Sequence, residues 1–190
     1  MNKAIFLDRD GTINVEKHYL YKKEDFEFLP GVVDALKRLQ QAGFLLIVIT
    51  NQSGIGRGYY TEADFQILNS WMIDTLKKQG VFITDVYFCP HLPDAPIKKY
   101  RKDCNCRKPK LGLYEQAVIE HSITLSESFA IGDKIRDCAI CSQTVCNGFL
   151  VEQNEKANVI EDVKNGKYNR VKYAKNLAEA AKEVLKENKF

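Results

Sequence analysis

The stretch FLDRDGTIN at residues 6–14 decides the fold of this chain. Residues 4–7 form a short, continuously apolar run, which is typical of a strand buried on both faces of a parallel sheet. Asp8 and Asp10 follow this strand directly, and Gly11 gives the chain the freedom to turn sharply away. One carboxylate could act as a nucleophile and the other as an acid/base, provided that a cation masks their repulsion. On its own, such a motif could equally be a solvated acidic turn.

Apolar runs and helix-like segments alternate along the rest of the chain. Further buried strands are predicted at residues 44–49, 86–88, 128–131 and 148–151. Helices are predicted at residues 30–43, 61–80, 111–120, 134–143 and 175–189. The glycine-rich segment 51–60 is predicted to be a loop, and residues 89–110 are predicted to be irregular. This alternation predicts an α/β fold, a Rossmann-like doubly wound parallel sheet with helices on both faces.

Size and composition limit the classes of function. The 190 residues suit one domain spanning 1–190, and the insertions between motifs are too short for a separate cap domain. The net charge of +3, with no dense polybasic block, argues against nucleic acid. The longest apolar run, residues 44–49, is too short to span a membrane. We therefore expect a cytosolic protein, and an open domain of this size is expected to be a monomer.

Polar groups follow four predicted strands. Asp8, Thr50, Cys89 and Asp133 each stand at the end of one, and parallel strands end at the same edge of a sheet. The hydroxyl of Thr50 and the amide of its neighbour Asn51 could bind phosphate oxygens.

Two further segments supply charge to this edge. Lys108 offers a compact positive charge, and Asp133 and Asp137 offer carboxylates to a hard cation. Taken singly, each residue has an ordinary structural role, such as a helix cap or a solvated surface charge. Together, in this order, they predict a phosphate and magnesium site.

Cysteines and a histidine flank the segment between the third strand and Lys108. Cys89 and His91 form one tight pair, and Cys104 and Cys106 form a second. Four such ligands fit tetrahedral zinc, and a closed shell indicates a structural zinc rather than a catalytic one. The predicted zinc-stapled loop spans 89–108 and has little apolar content with which to hold itself together. Two coincidental thiol pairs beside a surface histidine are the alternative.

These motifs resemble the haloacid dehalogenase-like superfamily, through DRDGT at 8–12, the strand-end Thr50, Lys108, and GDK with Asp137 at 132–137. The closer resemblance is to the D-glycero-D-manno-heptose-1,7-bisphosphate 7-phosphatase family. It is carried by FLDRDGTIN, FEFLPGV, TNQSGIGRG, CPH, CNCRKP and IGDK. The resemblance implies a phosphorylated sugar as substrate, in the making of nucleotide-activated heptose for surface polysaccharide. The histidinol-phosphate phosphatase family shares the paired acids and the cysteine loop, and is the alternative.

The resemblance implies a role for each matching residue. Asp8 would be the nucleophile, Asp10 the acid/base, and Thr50 and Lys108 would stabilise the phosphoryl group. Magnesium would be held by Asp8, the backbone carbonyl of Asp10, and Asp133. The implied substrate contacts are Glu16, Lys17, His18, Tyr19, Thr50, Asn51, Gln52, Ser53, Arg107, Lys108 and Lys134.

Some assignments remain open at this level. The family usually has Asp where Glu16 stands and Gly where His18 stands, so His18 could be a solvated loop residue. Arg107 is the natural partner of a second phosphate, because a guanidinium binds phosphate through two hydrogen bonds. Tyr59 and Tyr60 could stack on a sugar or pack within the protein. A zinc-stabilised binding module that has lost catalysis is the alternative outside the enzymes.

Three cysteines lie outside the predicted zinc ligands. Cys138 and Cys141 fall within a predicted helix, and Cys146 follows it. Buried free thiols are the better interpretation of this group than a redox or metal site.

Overall fold

A six-stranded parallel sheet forms the centre of the computed structural model, which describes residues 1–187. The strands are β1 (Lys3–Leu7), β2 (Phe44–Asn51), β3 (Asp85–Cys89), β4 (Phe129–Gly132), β5 (Asn147–Val151) and β6 (Val171–Ala174). Their order across the sheet is β3-β2-β1-β4-β5-β6, and every neighbouring pair is parallel. The predicted Rossmann-like α/β fold is therefore confirmed.

Helices cover both faces of this sheet. They are α1 (Val32–Gln41), α2 (Ser53–Arg57), α3 (Glu62–Lys78), α4 (Gly112–Glu120), α5 (Ala139–Gln143), α6 (Ala157–Lys164) and α7 (Leu177–Glu187). Helices α1, α3 and α7 pack in one apolar cluster, and α4, α5 and α6 pack in another. Helix α3 begins as predicted, since Thr61 and Asp64 form a reciprocal capping box.

The residues of β1 are shared between the two apolar clusters. Ile5 and Leu7 face the cluster with α1 and α7, whereas Ala4 and Phe6 face the cluster with α4. All four are at most 1% exposed, which explains why this strand is apolar at consecutive positions rather than at alternate ones. Burying each large side chain stabilises the fold by about 1.5–3 kcal/mol.

The direction of winding reverses between β1 and β4. The chain runs from β1 outward through β2 and β3, and then returns to place β4 on the other side of β1. Leu7 pairs with Ile131 at this junction, so Asp8 and Asp133 emerge side by side. In doubly wound sheets, ligands bind at such a reversal, outside the carboxyl ends of the strands.

The sequence predicts a loop at residues 51–60. This prediction is wrong in part, because the segment contains the short helix α2. The glycines of this helix allow neighbouring residues to pack closely against its backbone. A Cβ on Gly54 would lie 2.1 Å from the ring of Tyr60, and one on Gly56 would lie 2.6 Å from the carbonyl oxygen of Pro90. The helix ends at Arg57, and Gly58 caps it with a left-handed φ of 78°.

Other elements differ from the prediction or were missed. The predicted helix 134–143 is a 3₁₀ turn (Ile135–Cys138) followed by α5. Helix α6 and strand β6 were not predicted, and β6 is an edge strand that buries little beyond Val171 and Ala174. The closing helix is present as α7, and the predicted positions 188 and 189 lie outside the described residues. Within 1–187, we find no helix of the length and apolar character needed to cross a membrane.

Candidate active site

Asp8 lies at the carboxyl edge of the sheet, in a cavity of about 50 Å³ that we call the inner cavity. Its N–H donates a hydrogen bond of 3.0 Å to the carbonyl of Ile131, which ties the end of β1 to β4. The inner cavity is lined by Asp8, Asp10, Glu16, Thr50, Asn51, Lys108, Asp133, Lys134 and Arg136. The structure therefore brings together the four predicted catalytic residues and Asp133.

Gly11 fixes the distance between the Asp8–Asp10 turn and Asp133. Its φ is 83°, in the region that favours glycine, and a Cβ there would lie 2.3 Å from Oδ2 of Asp133. Any side chain at this position would push Asp133 away from Asp8. The glycine is thus required by close approach as well as by backbone conformation.

Lys108 is buried between two carboxylates. Its Nζ lies 2.7 Å from Oδ1 of Asp8 and 2.7 Å from Oδ1 of Asp137. It also donates to the carbonyl of Ile49 at 2.6 Å. The backbone of Lys108 is held by Asn51, whose side chain accepts from its N–H and donates to its carbonyl, both at 3.1 Å. Charge and position are therefore both fixed before any substrate binds.

Lys108 lies beside a group of three carboxylates. Oxygens of Asp8, Asp133 and Asp137 lie within 4.8 Å of one another. The pKa of Asp8 is raised to about 8, chiefly by burial, with Lys108 opposing the rise and Asp137 adding to it. Burial is also the main cause that raises the pKa of Asp133 to about 6. A divalent cation with oxygen ligands would favour the ionised carboxylates, so these residues fit magnesium.

The carboxylate of Asp10 accepts hydrogen bonds on both oxygens. Arg9, which is 1% exposed, binds both oxygens with bonds as short as 2.8 Å. Asn14 donates to Oδ1 at 3.0 Å, and Gln52 donates to Oδ2 at 3.0 Å. These partners orient the side chain of Asp10, which lines the inner cavity beside Asp8.

The amides of Asn51 and Gln52 are committed to other site residues. Asn51 holds the backbone of Lys108, as described above. Gln52 donates to Asp10 and, at 2.9 Å, to the hydroxyl of Thr50, and it accepts from Tyr60 at 2.6 Å. Both residues also line the outer cavity, where the sequence predicts them to contact substrate, and their amides in addition position catalytic candidates.

A second cavity of about 310 Å³, the outer cavity, continues from the inner one. Its lining residues are Asp10, Glu16, His18, Tyr19, Asn51, Gln52, Ser53, Arg57, Tyr60, Arg107 and Arg136. Asp10, Glu16, Asn51 and Arg136 line both cavities. A substrate with its phosphate at Asp8 would extend into this space.

The segment of residues 16–19 forms one wall of the outer cavity. His18 and Tyr19 have φ values of 48° and 65°, which are uncommon for residues other than glycine and often mark functional sites. Glu16 supports the turn by accepting the N–H of His18 at 2.7 Å. Of the predicted substrate contacts, Lys17 lines neither cavity. Its Nζ lies 3.4 Å from a carboxylate oxygen of Glu27 instead.

The predicted zinc ligands converge. The sulfurs of Cys89, Cys104 and Cys106 lie 3.1–3.5 Å apart, and Nδ1 of His91 is 3.2 Å from the sulfur of Cys106. Tetrahedral zinc with bonds of about 2.3 Å to sulfur places its ligands ~3.8 Å apart, close to these separations. The four residues could thus hold a metal ion, and their chemistry suits zinc.

The segment enclosed by these ligands has a small core of its own, contrary to the expectation from its composition. Leu92, Ala95 and Tyr100 are buried in a third apolar cluster, against Ile55 of α2 and Phe65 of α3. Most side chains of this segment are polar, but these few apolar ones are buried together in one cluster. Apolar contacts therefore hold part of this loop without help from the four candidate ligands.

Some site residues were missed by the sequence analysis. Arg57 and Arg136 line the outer cavity, and Tyr60, whose role was left open, contacts Gln52. Asn154 donates to Oδ2 of Asp133 at 2.8 Å. The signal for Arg57 was its place between two glycines in GIGRG, and the signal for Arg136 was its place beside Asp137. The three cysteines Cys138, Cys141 and Cys146 are buried and free, as predicted.

Comparisons with known proteins agree with this geometry. The family model "Polynucleotide kinase 3 phosphatase" matches residues 3–177. The D-glycero-beta-D-manno-heptose-1,7-bisphosphate 7-phosphatase of Haemophilus ducreyi is 46% identical over 71% of this chain and 74% of that protein. This chain belongs to the heptose bisphosphate phosphatase family. An alpha-anomer phosphatase of Photorhabdus laumondii in the same family is 47% identical over 71% of this chain and 74% of its own length.

A solved structure of the heptose bisphosphate phosphatase family has the same fold over nearly the whole chain. The D,D-heptose 1,7-bisphosphate phosphatase of B. bronchiseptica, complexed with magnesium and phosphate, has a TM-score of 0.81 at 30% identity. The match covers 97% of this chain and 99% of that one. The family membership thus extends to the architecture that surrounds the inner cavity.

Proposed function

We propose that this protein is a magnesium-dependent phosphatase that hydrolyses the 7-phosphate of D-glycero-D-manno-heptose 1,7-bisphosphate, through an aspartyl-phosphate on Asp8. The proposal depends above all on one observation, the position of Asp8 in the inner cavity against the buried ammonium of Lys108. A nucleophilic carboxylate needs a neighbouring positive charge to approach a phosphate dianion. The family membership supports the same reaction and favours the heptose substrate over histidinol phosphate.

The chemical steps follow from the residues of the inner cavity. A carboxylate oxygen of Asp8 forms a bond to phosphorus as the bond from phosphorus to the sugar oxygen breaks. Asp10 gives a proton to the departing sugar oxygen and later takes one from the water that cleaves the aspartyl-phosphate. Lys108 and the hydroxyl of Thr50 stabilise the charge on the phosphoryl oxygens.

The proposed magnesium ligands are Asp8, the backbone carbonyl of Asp10, and Asp133. When bound, the ion would screen the carboxylates and polarise the phosphate oxygens. Asp137 is proposed to support this site rather than bind the ion, since one of its oxygens pairs with Lys108 and the other accepts the N–H of Lys134 at 2.9 Å. The related structure from B. bronchiseptica contains magnesium and phosphate.

The substrate contacts are proposed to lie along the outer cavity. Glu16, His18 and Tyr19 form one wall for the sugar, and Ser53 lies at the start of α2. Arg107 is proposed to bind the second phosphate, and Lys134 to contact the first. The surface position of Lys17 makes it the weakest member of the predicted set.

The proposal is tested by comparing kcat/KM on heptose 1,7-bisphosphate with that on histidinol phosphate. We expect a preference for the heptose of at least about a hundredfold, because polar groups left unpaired by the wrong substrate lower its binding. An aryl phosphate serves as the control for active enzyme. The alpha and beta anomers are assayed separately, since relatives of both names match this chain. A preference for histidinol phosphate would overturn the proposed substrate.

We also propose that the cysteine and histidine cluster holds structural zinc. The metal would fix Cys106, and Lys108 follows two residues later. Arg107 lies between them and donates to the carbonyl of His91 at 3.3 Å, so the ligand loop and the inner cavity are mechanically linked.

Removing this zinc with a selective chelator, in excess magnesium, is expected to lower kcat about tenfold or more, as loss of a metal's supporting structure commonly does. Metal content and the thermal midpoint are measured on the same sample, and both activity and midpoint should recover when zinc is restored. Full activity in protein shown to have lost its zinc would rule out the link to Lys108.

The remaining proposals concern the setting of the enzyme. We propose one capless domain spanning 1–190, because the chain between β1 and α1 contains one short 3₁₀ turn (Lys23–Asp25). The substrate is a small phosphorylated sugar rather than nucleic acid or membrane, and a monomer suffices to form both cavities. Six free thiols suit the reducing cytoplasm, where the product would enter the synthesis of nucleotide-activated heptose.

A further inference from the structure

Arg136 lies where the inner and outer cavities meet. Its side chain lines both, and the residue is exposed to solvent. Among residues 1–187, no carboxylate forms an ion pair with Arg136, nor with Arg57 or Arg107 in the outer cavity. Three guanidiniums therefore surround the same space without an acidic partner.

The acidic residues of the outer cavity do not balance these charges. Asp10 is already paired with Arg9 at 2.8 Å, so Glu16 stands alone against three guanidiniums. Arg57, Arg107 and Arg136 all line this cavity, so their like charges repel one another. An anion bound among the three would relieve this repulsion and satisfy donors that protein groups leave free.

The backbone around Arg136 is held in place. Oδ2 of Asp137 accepts the N–H of Lys134 at 2.9 Å, and a carboxylate oxygen of Glu155 accepts the N–H of Ile135 at 2.8 Å. Asp137 itself is paired with Lys108, which contacts Asp8. The distance from the nucleophile to the base of the Arg136 side chain is thus set by a short chain of buried contacts.

We infer that Arg136 is a specificity-determining residue that binds the phosphate the enzyme does not hydrolyse, completing with Arg57 a second phosphate site around Arg107. The inference rests on the proposed function, since it takes a bisphosphorylated sugar as substrate. Arginine suits this role because its planar guanidinium forms two parallel hydrogen bonds with one phosphate. A sugar that lacks the second phosphate would leave the three guanidiniums facing each other.

The test is the ratio of kcat/KM on heptose 1,7-bisphosphate to kcat/KM on heptose 7-phosphate. In Arg136→Ala this ratio is expected to fall about tenfold or more, through a higher KM for the bisphosphate, because a charge-assisted contact is lost. Arg136→Lys should retain part of the ratio. Arg38→Ala, which removes an exposed charge from α1, should leave it unchanged.

The outcomes separate the two proposals. Hydrolysis of neither heptose by the wild-type enzyme would contradict the proposed function. Hydrolysis of both, with the same ratio in Arg136→Ala as in the wild type, would overturn the role of Arg136 alone. An equal loss on both substrates leaves the ratio unchanged as well, and would assign Arg136 to general structure rather than to the second phosphate.

Discussion

Replacing Asp8 with asparagine should lower kcat on heptose bisphosphate by at least about 10⁴-fold, because an amide cannot form the phosphoryl bond. The variant keeps the shape of the side chain and can still accept a hydrogen bond from Lys108. Substrate binding should change far less than turnover, since the outer cavity is untouched. Single-turnover assays with magnesium present measure both quantities.

The same variant should fold at least as well as the wild type. Burial raises the pKa of Asp8 from 3.8 to about 8, so the charged form is unfavourable in the folded protein. A carboxyl group with a raised pKa gives stability that is lost as the pH rises from about 4 to about 8. Asparagine is neutral throughout, and the thermal midpoint of Asp8→Asn at pH 8 without added magnesium should equal or exceed that of the wild type.

Asp34→Asn is the matched control, as it changes an exposed carboxylate on α1. It should retain full kcat and a wild-type midpoint. If Asp8→Asn turned over substrate at the wild-type rate, Asp8 would not be the nucleophile, and the proposed aspartyl-phosphate would have to be abandoned.

The position of Asp8 beside Asp133 could be predicted because one rule governs both residues. Each follows a continuously apolar run, and parallel strands deliver the residues after them to one edge. The convergence of the three cysteines and His91 was equally predictable, since soft ligands in tight pairs have few other uses. In both cases, each residue is marked by its immediate neighbours in the sequence. An apolar run precedes each aspartate, and the metal-ligand candidates occur in closely spaced pairs.

The roles of Asn51, Gln52 and Arg136 could not be obtained in this way. The amides of Asn51 and Gln52 bond to Lys108 and Asp10, which are remote in sequence, and an amide's partners are not encoded in its own neighbourhood. Arg136 stands in a segment predicted to be α-helical, but it lies on a 3₁₀ turn. Asp137 accepts a local hydrogen bond at the start of this turn, and Glu155 accepts one from a distant part of the chain. The partners of the two amides and the Glu155 contact are tertiary, so the local sequence does not show them.

Edge elements were missed for a related reason. Strand β6 buries only its first and last residues at the margin of the sheet, and its sequence VKYA has too few apolar positions to stand out. Its existence depends on pairing with β5, which the local pattern does not show. By contrast, β1 is buried on both faces and was evident from its composition alone.

Replacing Lys108 with methionine should lower kcat by about 10²–10³-fold, the usual effect of losing one preorganised contact to developing charge. Methionine fills a similar volume without the ammonium. Asp8 and Asp137 would then lose the ammonium group that lies between them, and Lys108 would no longer offset their mutual repulsion. Breaking a buried ion pair from one side commonly costs about 3–5 kcal/mol, so the free energy of unfolding should fall too.

The pH dependence distinguishes this role from simple loss of packing. Lys108 opposes the rise in the pKa of Asp8, so its removal should raise that pKa further. The folded state would hold the proton of Asp8 up to a higher pH, so the fall in stability that begins near pH 4 would continue past about pH 8, where the contribution of Asp8 levels off in the wild type. Thermal midpoints measured from pH 5 to about pH 9 without added magnesium test this, and added magnesium should restore more stability to the variant at pH 9 than at pH 5.

Lys110→Met provides the control within the same segment, since Lys110 is exposed and pairs with Asp103 on the surface. Its kcat and its pH profile should match the wild type, because a solvated ion pair contributes little. A Lys108→Met enzyme whose stability ran parallel to the wild type across this pH range would show that the ammonium does not offset the carboxylates. The charge balance proposed for the inner cavity would then be wrong, even if turnover were lost.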